Sequence, residues 1–131
     1  MNGPSGWVDG GEGDIRDHHV YGSESDFPGV DPTRAVVYGE YGGYTLSVEG
    51  HRIDTADFGY GAAADADELA ARYVTLTETL IDLKGEGLAG AIYTQTTDVE
   101  GEINGLLTYD RAVQKIPNDI LEPLHRRLIE D

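Results

Sequence analysis

The sequence has no cysteine and no long apolar run. Without cysteine it can form neither a disulfide nor a thiolate metal site. No stretch approaches the roughly 18 consecutive apolar residues of a membrane span, so we expect no membrane partner. Residues 1–7 have neither a basic region nor an apolar stretch. This predicts that there is no signal peptide and favours a cytoplasmic location.

Positive charge is scarce as well. Lys and Arg total 9 against 25 Asp and Glu, giving a formal net charge of −16. Because phosphate binding needs clustered cations, this balance argues against nucleic acid and against anionic membranes as partners. The acidic excess is typical of proteins from a salt-rich cytoplasm, where screening weakens self-repulsion. An ordinary acidic soluble protein is the alternative.

Length and pattern predict one α/β domain, or part of one. The chain has 131 residues, well short of the roughly 250 of a closed (β/α)8 barrel. Residues 1–14 are glycine-rich and polar, which predicts a loop. An alternating stretch at 15–21 and apolar runs at 35–38 and 88–95 predict three strands. The second run leads straight into a single carboxylate, Glu40, flanked by glycines.

Two helices are also predicted. Asp65 is a candidate N-cap with Glu68 three residues on, the spacing of a capping box. Leucines and a tyrosine then recur at helical spacing over 69–83, and glycines at 85 and 87 end the helix. Residues 117–131 have helical spacing too, but Pro123 lies inside them, so this helix is predicted to begin late or to be broken. Strands joined through a helix predict a parallel sheet.

Polar side chains gather where each predicted strand ends. His19 and Tyr21 end the first strand, Glu40 follows the second, and Gln95 and Asp98 follow the third. The carboxyl ends of parallel strands meet at one edge of a sheet, where α/β proteins build their sites. Carboxylate, amide and aromatic groups together suit a carbohydrate. Glu40 could be the nucleophile of a retaining glycosidase, hydrogen-bonded by Tyr21; a solvated Glu at a strand end is the alternative.

Four segments carry a family resemblance: Gly13-Asp-Ile-Arg-Asp-His-His-Val-Tyr21, Arg34-Ala-Val-Val-Tyr-Gly-Glu-Tyr-Gly-Gly43, Gly90-Ala-Ile-Tyr-Thr-Gln-Thr-Thr-Asp-Val-Glu100 and Asn104-Gly-Leu-Leu-Thr-Tyr-Asp-Arg111. Through them the chain resembles the C-terminal part of the catalytic barrel of glycoside hydrolase family 2, the family of β-galactosidases, β-glucuronidases and β-mannosidases. The resemblance covers nearly the whole chain. It implies strands six to eight of a (β/α)8 TIM barrel over residues 15–116, with one long helix, and a C-terminal helix over 117–131. The barrel would be incomplete as a single chain.

The resemblance also implies roles for individual residues. The family's seventh strand ends in the nucleophile, which falls on Glu40. Its sixth strand brings a substrate-contacting His and Tyr, matched here by His19 and Tyr21. Its eighth strand contributes a residue to the sugar pocket, here Gln95.

Three further residues are candidate substrate contacts. Trp7 could be a sugar-stacking platform, with core packing as the alternative. Asp98 and Asn104 lie in a loop that points carboxylates to solvent or toward the pocket. This loop does not match a calcium-binding EF-hand, because the positions that need glycine and glutamate hold Ile103 and Tyr109. Gly105 after Asn104, where β-glucuronidases carry an Asn-Lys pair, disfavours a uronate substrate; a galactoside and a mannoside both fit.

The departures from the family concern the second catalytic carboxylate. The family's acid/base glutamate follows an asparagine, and this sequence has no Asn-Glu dipeptide. Glu12 and Glu24 lie in loops beside the first predicted strand, which is the wrong place. The first half of the barrel and the family's β-sandwich domains are missing as well. We therefore expect a glycosidase fragment, with no cofactor, that does not turn over substrate by itself.

A non-catalytic α/β module that binds a sugar or a partner chain is the competing interpretation. Sheet edges left open by a partial barrel would favour self-association, or association with the missing barrel half. A metal pair at His18 and His19 is disfavoured, because neighbouring residues on a strand point to opposite faces.

Overall fold

Three parallel strands and two helices make up the regular structure of the described residues. The computed structural model describes residues 6–22, 24–53 and 58–130. The elements are β1 (Ile15–Val20), β2 (Ala35–Tyr41), α1 (Ala66–Glu86), β3 (Gly90–Tyr93) and α2 (Asn118–Glu130). The strands form one parallel sheet in the order β1-β2-β3. The predicted α/β domain is therefore confirmed, while its assignment to a TIM barrel stays a prediction.

Some predicted segments fall outside the described residues. These are residues 1–5 of the predicted N-terminal loop and Asp131, the last residue of the predicted C-terminal helix. None of the helices in the described ranges has the length and apolar character needed to cross a bilayer.

The central strand β2 packs against α1. Tyr38 and Tyr41 are buried in one cluster with Leu76 and Leu80, which belong to the apolar stripe of the helix. Fully burying one large apolar side chain contributes roughly 1.5–3 kcal/mol, so this cluster is a main source of stability. It holds α1 on one face of the sheet.

The ends of α1 follow from local sequence signals. The Asp65 carboxylate accepts the Glu68 backbone N–H at 2.8 Å, and the Glu68 carboxylate accepts the Ala64 N–H at 2.7 Å. Gly87 ends the helix in the left-handed conformation (φ 111°), which glycine adopts without a Cβ penalty. The predicted helix is confirmed, with Gly85 lying inside it.

The prediction of a late or broken C-terminal helix is wrong, because α2 runs from Asn118 to Glu130 with Pro123 inside it. The proline lacks the N–H that would reach the carbonyl of Asp119. Leu121 and Leu124 are buried against the core that α1 also lines, and this packing keeps the helix continuous. Tertiary burial here outweighs one lost hydrogen bond.

A β-bulge at Gly39 changes the direction of the side chains at the end of β2. Tyr38 and Glu40 pair with consecutive residues of β1, which leaves Gly39 as an extra residue. Tyr38 and Tyr41 are three positions apart, yet both lie in the core under α1. Because side chains alternate along a regular strand, the bulge places Glu40 on the other face of the sheet, where His19 lies.

A side chain at position 39 is expected to destabilise this bulge. Its N–H donates to the Asp17 carboxylate at 2.7 Å, and a Cβ at this position would clash with that carboxylate. Gly39→Ala should therefore lower the free energy of unfolding by roughly 1–3 kcal/mol, measured by urea denaturation. Gly85→Ala is the control: nothing lies within 4 Å of its added Cβ, and it should stabilise the helix by up to about 1 kcal/mol. Equal stability of Gly39→Ala and the wild type would contradict this account.

Tyr38 should make the fold sensitive to alkaline pH. Its buried hydroxyl donates to the backbone carbonyl of Glu24 at 3.0 Å. Burial raises the pKa of Tyr38 from 10.0 to about 12. The stability that this group contributes is therefore fully present below pH 10.0 and is lost as the pH rises through about 12. Circular dichroism should show a shallower loss of stability above pH 10.0 for Tyr38→Phe. The exposed Tyr109→Phe should keep the wild-type profile; equal profiles for both variants would refute the role of Tyr38.

Candidate active site

Glu40, His19 and Tyr21 meet at the carboxyl edge of the sheet. The Nδ1 atom of His19 lies 3.4 Å from Oε2 of Glu40, and the Tyr21 hydroxyl lies 3.5 Å from the same nitrogen. The side chain of Glu40 is 30% exposed, so a ligand can reach its carboxylate. Two neighbouring strands thus bring together the three residues that the sequence placed at their ends.

Tyr21 is held in its protonated form. Burial raises the pKa of Tyr21 far above its ordinary value, and hydrogen bonds with Tyr60 and Glu40 raise it further. A phenol that keeps its proton can donate a hydrogen bond to the Glu40 carboxylate. Tyr21 can therefore orient this carboxylate toward a reacting group.

A row of aromatic rings lies beside the carboxylate. Tyr60 stacks on Tyr21 with ring centroids 3.5 Å apart and planes 11° from parallel. The ring centroid of Trp7 lies 5.7 Å from those of both Tyr21 and His19, and the ring centroid of Phe58 lies 5.7 Å from that of Tyr60. We call Trp7, Tyr21, Tyr60 and Phe58 the aromatic row. Trp7 is 70% exposed, which excludes core packing and leaves its ring open to a ligand.

Gln95 and Asn104 form a second polar group near this edge. The side-chain amide of Gln95 donates to Oδ1 of Asn104 at 2.5 Å and also to the carboxylate of Glu102. A Cβ at Gly43, where φ is +79°, would lie 2.8 Å from the Tyr60 ring and 3.4 Å from the Asn104 amide nitrogen. Glycine at this turn therefore lets the aromatic row and the Gln95–Asn104 pair come close together.

Asn104 itself is fully buried, and its Nδ2 atom has no hydrogen-bond partner among the described residues. A buried amide donor without a partner is uncommon. Asn104 therefore does not lie at the surface that a ligand would meet first.

Asp98 is buried in an ion pair. Lys115 Nζ donates to Oδ1 of Asp98 at 2.7 Å and to the carbonyl of Ile103 at 2.9 Å. The same carboxylate oxygen accepts the N–H of Gly105 at 2.8 Å. Burial lowers the pKa of Lys115, and the Asp98 carboxylate opposes this shift. The pair leaves Asp98 no surface for a substrate; its role in the structure is to hold the chain on both sides of Asn104.

Neither of the two loop glutamates considered as the acid/base joins Glu40 in the part of the chain that the structure describes, and the Asp17 carboxylate on the neighbouring strand accepts the N–H of Gly39. Neither Glu12 nor Glu24 forms a hydrogen bond or ion pair with Glu40, His19 or Tyr21. Glu24 is buried under α1, since Tyr38 on the core face donates to its backbone. The described residues also hold no group of three acidic or histidine side chains that could bind a metal ion.

Tyr60 and Phe58 were not identified from the sequence as site residues. They lie in the long irregular segment 45–65, where no period indicates which side chains face the sheet. The signal that was available is the length of this segment, because loops of more than about 12–15 residues are often functional. Gly59 and Gly61 beside the two rings are a second indication of close packing there.

No protein-family model matches this chain. No curated protein matches it either. We call the carboxyl edge of the sheet that carries Glu40, His19 and Tyr21 the Glu40 edge. Its interpretation therefore depends on its geometry and on the family resemblance of the four sequence segments.

The buried ion pair below Asn104 is open to a direct test. Lys115→Met leaves Asp98 buried without its cation, and losing one partner of such a pair typically costs about 3–5 kcal/mol. Urea denaturation should show this loss, and adding Asp98→Asn to Lys115→Met should recover part of it. Arg126→Met breaks an exposed pair with Glu122 and should change stability by no more than about 1 kcal/mol. Similar effects of Lys115→Met and Arg126→Met would contradict a structural role for the buried pair.

Proposed function

We propose that the Glu40 edge is part of the active site of a retaining, β-galactosidase-like glycoside hydrolase that cleaves O-glycosidic bonds in carbohydrate metabolism. The observation that carries this proposal is the half-buried Glu40 carboxylate, oriented by His19 and Tyr21 where the aromatic row begins. A sugar offers hydroxyls to such polar groups, and its C–H faces can pack on exposed aromatic rings.

The reaction would be a double displacement. A carboxylate oxygen of Glu40 attacks the anomeric carbon, the bond to the leaving oxygen breaks, and that oxygen takes a proton from an acid. The product is a glycosyl ester on Glu40. Water then attacks the same carbon and gives its proton to a base. The ester bond to Glu40 breaks in this step, so the sugar is released and the carboxylate is restored. Tyr21 and His19 would orient Glu40, and Trp7 would support the sugar.

A retaining enzyme needs a second carboxylate about 5–5.5 Å from the nucleophile. Neither Glu12 nor Glu24 forms a hydrogen bond or ion pair with Glu40, and the Asp17 carboxylate is already engaged by the N–H of Gly39. Both proton transfers would then lack their group. We infer that this chain forms the glycosyl ester with activated substrates but does not hydrolyse it, so substrate is not turned over. Its open sheet edges at β1 and β3 suit self-association or the remainder of a barrel, either of which could supply the missing acid/base.

A non-catalytic carbohydrate-binding module is the second candidate function. The exposed ring of Trp7 favours it, and so does the finding that neither Glu12 nor Glu24 forms a hydrogen bond or ion pair with Glu40. Such a module would bind the same sugar through the same edge without forming a covalent bond.

Labelling with dinitrophenyl 2-deoxy-2-fluoro-β-glycosides separates these functions, because dinitrophenolate leaves without a proton donor. Mass spectrometry should find one sugar attached to the peptide that contains Glu40. Glu40→Gln should abolish labelling, whereas Glu12→Gln, which removes an exposed loop carboxylate, should not. With nitrophenyl β-glycosides we expect at most one nitrophenol released per chain, since deglycosylation lacks its base.

Each alternative result has a definite meaning. Sustained turnover that Glu40→Gln abolishes would refute the claim of an incomplete site. Saturable sugar binding without labelling would support the module and overturn the nucleophile. If no galactoside or mannoside binds the chain and none labels it, both functions are overturned.

A further inference from the structure

A polar cavity lies between α1 and the loop that follows β1. Its volume is about 270 Å3. The residues used below all line it: Glu24, Tyr44, Arg72, Thr75, Leu76 and Thr79. None of them belongs to the Glu40 edge.

Glu24 supplies an uncompensated negative charge to this cavity. The residue is only 6% exposed, and one of its carboxylate oxygens accepts the N–H of Gly22 at 3.0 Å. Among the described residues it forms no ion pair with a cation. A buried carboxylate costs free energy unless it is hydrogen-bonded or paired with a cation.

The guanidinium that lines the cavity does not neutralise this charge. Arg72 donates from Nε and Nη2 to Oε1 of Glu68, at 3.1 and 2.6 Å. Its guanidinium carbon lies 5.1 Å from the centre of the Tyr44 ring. Arg72 is therefore already paired, and the charge of Glu24 is left for a ligand.

The helix side of the cavity offers hydrogen-bond acceptors. The hydroxyl of Thr75 donates to the carbonyl of Ala71 at 3.1 Å, and that of Thr79 donates to the carbonyl of Thr75 at 3.0 Å. A hydroxyl whose proton is used in this way presents only lone pairs to the cavity. Thr75 and Thr79 are one turn apart on the same helix face, so a carboxylate and two hydroxyl oxygens line one small volume.

We propose that this cavity binds the ammonium group of a small primary amine. An ammonium has one positive charge and three donors, which match the charge of Glu24 and the three acceptors. The alkyl chain would contact Leu76 and the Tyr44 ring. A divalent metal fits poorly: Ca²⁺ takes about 6–8 oxygen ligands, and the described residues hold no group of three acidic or histidine side chains. The site is independent of the proposed glycosidase function.

The test is a titration of the ¹⁵N-labelled chain with n-butylammonium chloride at constant ionic strength, followed by NMR. We expect saturable shifts of the backbone amides at Glu24, Thr75 and Thr79. Glu24→Gln should weaken binding at least tenfold. Glu49→Gln makes the same charge change at an exposed loop position and should bind as the wild type does, which controls for diffuse attraction to the acidic surface.

Three further measurements complete the test. Thr75→Val with Thr79→Val keeps the side-chain shape but removes both acceptors, and should weaken binding severalfold in a folded chain. 1-Butanol, which matches the amine in length without its charge, should give no saturable shift. Equal binding of 1-butanol would overturn the proposal, as would equal loss of affinity in Glu49→Gln and Glu24→Gln, displacement of the amine by equimolar KCl, or shifts that do not saturate.

Discussion

Packing of the central strand against α1 is the constraint from which the rest of the structure follows. Tyr38 and Tyr41 are both held in the core by the leucines of the helix, although they are three positions apart. A regular strand cannot point both side chains the same way, so β2 must contain an extra residue between them. Gly39 is that residue, and its bulge places Glu40 beside His19. The position of the candidate nucleophile is thus a consequence of how the core packs.

The carboxylates of Glu40, Asp98 and Glu24 have different surroundings, and these surroundings separate their roles. Glu40 is half-exposed beside Tyr21, where it can react with a ligand. Asp98 is buried with Lys115 and holds a loop. Glu24 is buried without a cation and faces a cavity under α1. Residue type alone is the same or nearly the same in all three cases, so burial and the nearest cation determine what each can do.

Local signals in the sequence were sufficient for the three strands and for α1. The capping residues Asp65 and Gly87 act within one helical turn, and both ends of α1 lie where they indicate. Pro123 shows the limit of such signals, because the cost of one missing hydrogen bond was visible in the sequence but the compensating burial of α2 was not. Tyr60 was missed as a site residue for a related reason: its stacking on Tyr21 joins residues far apart in the chain.

The sequence by itself determined the α/β class, the parallel sheet, the extent of α1 and the gathering of His19, Tyr21 and Glu40 at strand ends. These features depend on periodicity, on caps and on the rule that parallel strands end together. Only the tertiary structure decided which face Glu40 occupies, that Asp98 is paired with Lys115, and that the aromatic row assembles beside Glu40. The reason is physical: each of these outcomes depends on contacts between distant segments, whose free energies no local pattern encodes.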